Sequence, residues 1–370
     1  MLDFSKIEWP KALVALGVPE DFLRKKAGPC PICGGKDRFR FDEKQGAGTW
    51  YCQHCGPGNG YSLIQKVTGK SSFTVLRELE EFDPTAVIKE PIVGRPIQLA
   101  DVELTEEEIA KNKPKLDWAW STARARTGQD PVTRYLGNRV PKFDSQHLSN
   151  SIRVHPGMKY YEFVDDKAVC KGKFWVMLAR IVDGKGTPVN LHRTFLTKDG
   201  FKAPVDMPKK MMGGVRKLRG AAIRLNAVPE SRVLAAVEGI ETGVAVLTGY
   251  QNRVNVWSFV NAGNLAIADV PRDRFDKVII FADHDRVVQT KVKYECQCCK
   301  DGHRPGKHHA MMAKAKLEAE GFEVEVRFPE IEGQDYADVW NEICKRVAET
   351  LTSIAKRPAP TLQARGLAHA

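Results

Sequence analysis

Short, wholly apolar runs that stop at glycine or an acid organise the C-terminal half of this chain. Val233-Leu234-Ala235-Ala236-Val237 leads into Glu238-Gly239-Ile240-Glu241, and Val278-Ile279-Ile280-Phe281-Ala282 leads into Asp283-His284-Asp285. Runs of this length, rich in β-branched residues, predict strands buried on both faces of a parallel sheet. Ligands of open α/β sheets gather at the carboxyl ends of the strands. Neighbouring strands would therefore bring Glu238, Asp283 and Asp285 together, which outlines a metal site.

Nearer the N-terminus the period is two. Arg38-Phe39-Arg40-Phe41 alternates so that the phenylalanines share one face and the arginines the other. Gly46-Ala47-Gly48 supplies a turn, and Thr49-Trp50-Tyr51 the returning strand. Short helices are predicted over Tyr61–Val67 and Ser72–Leu79. A stretch with Pro84, Pro91, Pro96 and Pro114 and no durable period predicts a linker. Beyond it come a helical start around Trp118, Trp120, Tyr135 and Leu136, then a strand-like run, Phe174–Val182, ended by the turn Asp183-Gly184-Lys185-Gly186. The expected layout is a small N-terminal domain with flanking helices (1–82), a linker (83–115), a mixed α+β basic segment (116–230), a Rossmann-like parallel α/β domain (231–345) and a tail (346–370).

Composition narrows the setting. A chain of 370 residues holds two or three domains with their own cores. No apolar run approaches the roughly 18 residues of a membrane span, and Met1-Leu2-Asp3-Phe4-Ser5-Lys6 lacks a signal peptide's basic start and apolar stretch. A cytoplasmic protein with no membrane partner is expected, so its nine cysteines stay reduced and clustered ones read as metal ligands. The net charge of +11 favours polyanionic partners. Seven basic residues against one acid lie between Phe201 and Arg224, which fits either phosphate contact or a solvated loop.

Cys30-Pro31-Ile32-Cys33 and Cys52-Gln53-His54-Cys55 are two CxxC knuckles eighteen residues apart, the spacing of a zinc ribbon. The four cysteines are the expected ligands of a structural Zn²⁺, with His54 a less favoured substitute for one thiolate. Arg38 and Arg40 are candidate contacts to single-stranded nucleic acid, while Phe39 and Phe41 read as the ribbon's small core. Gly69-Lys70-Ser71 imitates the end of a P-loop, but Ile64 stands where the first glycine is needed and a helix precedes it. Farther on, Arg193, Lys202, Lys209 and Lys210 flank Gly200 and Gly213-Gly214, a pattern of positive charge beside backbone that phosphate can approach.

The order of these parts resembles the DNA primases of phages, plasmids and bacteria, whose catalytic core carries a Toprim domain. Val237-Glu238-Gly239-Ile240-Glu241-Thr242 is similar to the first Toprim motif, Phe281-Ala282-Asp283-His284-Asp285 to its DxD motif, and Gly333-Gln334-Asp335-Tyr336-Ala337-Asp338 to the closing acidic element. Thr49-Trp50-Tyr51-Cys52-Gln53-His54-Cys55-Gly56 is similar to primase zinc-binding domains. The resemblance implies synthesis of short RNA primers on a single-stranded DNA template from nucleoside triphosphates, beside a separate replicative helicase in a bacterial host cytoplasm. It implies catalytic Mg²⁺ or Mn²⁺ held by Asp283 and Asp285, with Glu238 either sharing an ion or helping to deprotonate the attacking 3′-hydroxyl, and Asp335 and Asp338 as candidates to complete the set, Asp338 slightly favoured. Glu241 either reaches that site or balances its helix N-terminus.

One segment departs from the family. Tyr294–His303 is inserted after Asp285, with His308 and His309 beyond it, giving three cysteines and three histidines within fourteen residues. Cys296, Cys299 and His303 or His308 are the candidate ligands of a second zinc, against a reduced surface loop. Two rival readings of the whole chain remain at this point: a Toprim nuclease acting on DNA, and a non-catalytic single-strand-binding replication protein.

Overall fold

The protein is described by a computed structural model, which covers residues 7–70, 72–82, 104–164, 167–287 and 297–355. At the N-terminus, helix α1 (Trp9–Ala15) precedes four short antiparallel strands in the order β1 (Gly28–Cys30), β2 (Gly34–Phe41), β3 (Trp50–Cys52) and β4 (Gly56–Gly58). Helices α2 (Gly60–Thr68) and α3 (Ser72–Phe82) follow. A reciprocal Asn59–Ser62 capping box opens α2, and Gly69, at φ +71°, ends it in the left-handed conformation. Lys70 is ion-paired to Glu78 at 2.6 Å, so the P-loop imitation is a helix terminus. Phe39, Phe41 and Trp50 form the core with Trp9, Leu63 and Ile64. Trp9 lies so close to Gly60 that a Cβ there would fall 1.8 Å from a ring carbon.

Helix α4 (Glu106–Thr122) corrects the expected linker, whose boundary at 115 falls inside it; residues 83–103 lie outside the described residues. Pro114 interrupts the helical pattern, yet Thr105 and Glu108 form a capping box and three glutamates occupy the first turn, favouring a helix start. Helix α5 (Pro131–Arg139) is opened by Asp130, which accepts from the amides of Val132 and Thr133. Strands β5 (Ile152–Val164), β6 (Lys167–Val182), β7 (Pro188–Leu196) and β8 (Lys209–Met211) form an antiparallel sheet in that order.

The C-terminal sheet is the predicted parallel one, with an added edge. Its elements run β9 (Ile223–Arg224), β10 (Val233–Val237), α6 (Ile240–Gly249), β11 (Asn255–Ser258), α7 (Ala262–Leu265), β12 (Lys277–Phe281), α8 (Pro305–Ala319), β13 (Glu323–Arg327) and α9 (Tyr336–Ala355). The strand order is β13-β12-β10-β11-β9, parallel except for β9. Ala235 and Val237 pack towards α6 and α9, whereas Leu234 and Ala236 pack against Ala310, Ala313 and Leu317 of α8. Both faces of β10 are thus covered, each fully buried aliphatic side chain contributing about 1.5 to 3 kcal/mol. The first of these clusters also contains Met177 and Leu196, so the antiparallel sheet and the parallel sheet share one core. Helix α9 runs through the boundary expected at 345, a second correction: Trp340 fastens it by donating to the carbonyl of Pro141 at 2.7 Å.

Candidate active site

Strands β10 and β12 are neighbours in register, with Val237 opposite Phe281, so the residues that follow leave the sheet at one edge. Glu238 emerges from the first strand, and Asp283 and Asp285 from the second. Two backbone hydrogen bonds, His284 N–H to the Gln334 carbonyl (3.1 Å) and Gly333 N–H to the His284 carbonyl (2.6 Å), bring in the segment that carries Asp335. His284 points away from the carboxylates, its ring nitrogen meeting the Pro329 carbonyl at 2.8 Å.

The carboxyl groups are crowded. Burial, and then the charge of Asp285, push Glu238 up to about 8. Burial, then Glu238, Asp335 and Asp285, push Asp283 up to about 9, and its Oδ1 is buried without a hydrogen-bond partner. Asp285 accepts the Gly306 amide at 2.7 Å at the start of α8. Buried carboxyls that repel one another and leave an oxygen unsatisfied fit a hard divalent cation. They do not form one of the tight ligand clusters among the described residues, and Mg²⁺, which keeps several waters and uses one or two carboxylates, requires no such collapse.

Asp335 and Asp338 separate into different tasks. Each amide donates to the other's carboxylate, at 2.9 and 3.2 Å, a reciprocal cap on α9. Asp335 also lies 3.6 Å from Arg139 and acts on Asp283. Of the two, Asp335 is the one whose charge is recorded on Asp283.

The basic candidates divide by strand alternation. On β8, Lys209 reaches Glu241 at 2.8 Å, whereas Lys210 turns to the other face, over Tyr160 and onto the Tyr161 carbonyl. Glu241 also accepts from the Tyr135 hydroxyl. Burial alone would raise Glu241, but the charge and hydrogen bond of Lys209, helped by Tyr135, bring it down to about 2. Glu241 is thus a buried tie between the two sheets. Lys202 is exposed at the rim, where partial burial and then the charge of Lys209 lower its pKa. Arg193 is turned inward: it donates to the Met211 carbonyl at 3.0 Å, and its Nε is buried without a partner. It braces β7 against β8 and is not an open phosphate contact.

In the N-terminal domain, Cys30, Cys33, Cys52 and Cys55 are buried with their sulfurs within 4.8 Å of one another. The pairs Cys30–Cys55 and Cys33–Cys52 are 3.9 and 3.6 Å apart, and the Ile32 and Cys55 amides point at the sulfurs of Cys30 and Cys52. Hydrogen bonds from its three neighbours hold the Cys52 thiol well below its ordinary value. The set fits a structural tetrahedral Zn²⁺. Arg40 is exposed beside Tyr51, and the charge of Arg38 reaches Glu238.

Sequence reasoning assigned His54 only as a spare zinc ligand. Its Nδ1 lies 3.8 Å from Glu238 Oε1, its ring is edge-on to His309, and its Nε2 is buried without a partner. At Gly263, on α7, a Cβ would fall 2.9 Å from the Cys55 carbonyl, so the second knuckle closes onto the sheet edge there. The only signal in the sequence was the placement of His54 inside a knuckle. In the insertion, Cys298, Cys299 and His308 lie together and His303 meets Cys299; Cys296 lies outside the described residues.

Residues 25–61 match the zinc-binding domain of primase-helicase, residues 233–345 a Toprim domain, and residues 110–225 a domain of unknown function (DUF7146). Among solved structures, the zinc-binding and RNA polymerase domains of Aquifex aeolicus primase align over 95% of this chain and 84% of theirs, at 14% identity and TM-score 0.38. The primase fragment of the bacteriophage T7 primase-helicase protein aligns over 88% and 98%, at 12% and 0.33. The E. coli primase catalytic core aligns over 66% and 79%, at 13% and 0.36. The domain matches, and not these distant superpositions, carry weight: the chain has a primase-type N-terminal zinc-binding domain and a Toprim core.

Proposed function

We propose that the chain is a DNA primase that joins ribonucleotides on a single-stranded DNA template. The observation that carries this reading is the placement of Glu238 and Asp283 at the ends of adjacent strands, with Lys209 reaching over from the antiparallel sheet and His54 from the zinc ribbon. A nuclease needs the acids alone. A polymerising site also needs a positive wall for the triphosphate and a module that holds template, and both surround the same carboxylates.

Asp283, Asp285 and Glu238, with Asp335 beside them, would hold Mg²⁺ or Mn²⁺. When bound, such ions neutralise charge on the attacking and leaving oxygens of an in-line phosphoryl transfer. Lys202, at the exposed rim, faces the incoming triphosphate, while Lys209 is held in place by Glu241. In the metal-free site, burial and the charge of Asp285 raise Glu238 to about 8, so this carboxyl either shares the ion or holds a proton. Where it does not share the ion, it would receive the proton of the primer 3′-hydroxyl as that oxygen bonds to the α-phosphorus and pyrophosphate departs. Arg38 and Arg40 on the ribbon would grip the single-stranded template, and a separate helicase would supply it. No described helix is long and apolar enough to cross a membrane.

The test is purified zinc-loaded protein with single-stranded DNA of varied sequence, four ribonucleotides and Mg²⁺ or Mn²⁺. Short new RNA that disappears with Asp283→Ala is expected. Shortened template would indicate a nuclease, a gel shift with no product a binding protein, and either outcome sinks the primase reading.

A further inference from the structure

The segment inserted between the DxD motif and α8 places the ligand atoms of Cys298, Cys299 and His308 within 4.8 Å of one another, with His303 against Cys299 beside them. Cys298 and Cys299 lie on a 3-10 turn (Gln297–Cys299), His303 follows a tight turn at Gly302, and His308 sits on the first turn of α8. The Cys299 sulfur is 3.4 Å from His303 Nδ1 and 3.6 Å from His308 Nδ1; the Cys298 sulfur is 3.7 Å from His308 Nδ1 and 4.0 Å from Cys299. A tetrahedral zinc with bonds of about 2.3 Å to sulfur and about 2.0 Å to nitrogen sets its ligand atoms about 3.3 to 3.8 Å apart. The ribbon thiols, at 3.6 and 3.9 Å, show the same spacing in this protein.

Hydrogen bonding explains this convergence less well. The Cys299 sulfur has three close neighbours among these groups and at most one proton to give. The Cys298 and Cys299 sulfurs, 4.0 Å apart, are not joined by a disulfide in this structure. Cys299 and His303 are 7% and 4% exposed, so the groups point inward and not to solvent. Mixed thiolate and imidazole ligands select zinc over the oxygen-seeking Mg²⁺.

We infer that Cys298, Cys299 and His308 hold a second zinc ion, with His303 turning from Cys299 onto it as the fourth ligand, and that this ion fixes the start of α8 against the DxD loop. The second half follows from the chain path. His303 and His308 bracket Pro305 and Gly306, and the Gly306 amide donates to Asp285 at 2.7 Å. A Cβ at Gly306 would fall 2.8 Å from the Asp283 carbonyl, so the helix start already presses on the loop. A zinc that ties residues on both sides of Gly306 keeps that amide on Asp285. The inference does not depend on which reaction the carboxylates perform.

The first measurement is zinc per chain in the full-length protein, purified without added metal, by elemental mass spectrometry. Two zincs are expected, falling to one in the Cys298→Ser/Cys299→Ser double variant. One zinc in the parent protein, or two retained in the variant, overturns the proposal. Should the variant fail to fold, cobalt substitution of the parent protein decides: two ions per chain are expected, with the spectrum of a mixed sulfur–nitrogen site beside that of a four-sulfur site, and a four-sulfur spectrum alone overturns it. The positioning role is read by hydrogen exchange over residues 304–310, expected to quicken about tenfold in the double variant. Unchanged exchange there, with one zinc lost, would overturn the claim that the ion fixes α8.

Discussion

The ribbon thiols and the sheet-edge carboxylates are both clusters of anionic ligands, yet they are built in opposite ways. The thiols come from two tight turns eighteen residues apart, and their sulfurs converge within 4.8 Å. The carboxylates come from the ends of β10 and β12 and from the segment before α9, and they are left crowded, with Asp283 Oδ1 lacking a partner. A closed soft site is a fold-forming element, whereas an open hard site is a strained one that the rest of the fold must hold in place. Removing a ligand should therefore have opposite consequences for stability.

The largest effect is expected from Cys52→Ser. Structural zinc contributes on the order of 10 kcal/mol to small domains of this kind. Residues 25–61 should become protease-sensitive and lose their zinc while the C-terminal sheet persists. A ribbon that keeps its zinc and its protection would break the comparison from one side.

Asp283→Asn tests it from the other. Removing a buried acid pressed by Glu238, Asp335 and Asp285 should raise the melting temperature of the protein freed of divalent ions, by about 1 to 3 kcal/mol in stability. Primer synthesis should fall about a thousandfold or more. A variant that is both inactive and less stable would show that Asp283 is a structural residue.

Glu241→Gln probes the tie between the sheets, with an expected cost of about 2 to 3 kcal/mol at neutral pH. The folded value of about 2 lies below the ordinary 4.5, so the contribution is fully present above pH 4.5 and is lost as pH falls through 2. The parent protein's stability should accordingly fall across that window, and the variant's should fall less. Urea unfolding at a series of pH values measures it; parallel curves would remove Glu241 from this role.

What was legible in sequence follows the same division. Zinc knuckles are local, so Cys30, Cys33, Cys52 and Cys55 could be read from spacing alone. Strands β10 and β12 were legible because burial on both faces makes them uniformly apolar, and their pairing placed Glu238 near Asp283. Local signals also misled: Pro114 concealed α4, although the Thr105–Glu108 capping box marked its start. The approach of His54 to Glu238 and the inward turn of Arg193 depend on tertiary packing, which no periodicity records. Lys209 and Lys210 looked equivalent until β8 was known to be a strand, whose alternation sends them to opposite faces.

Asp335 and Asp338 give the finest test, because the two share one cap and the charge of Asp335 acts on Asp283. Asp338→Asn keeps an oxygen for the Asp335 amide and should cost at most about 1 kcal/mol, with little change in rate. Asp335→Asn likewise keeps an acceptor for the Asp338 amide, so its stability should change as little. It removes, however, a charge that acts on Asp283 and pairs with Arg139. A drop of about tenfold in priming at low Mg²⁺, recovered at high Mg²⁺, is expected from that variant alone. Equal losses from both would mean that α9 acts on the site only by being capped, and that the open cluster ends at Asp285.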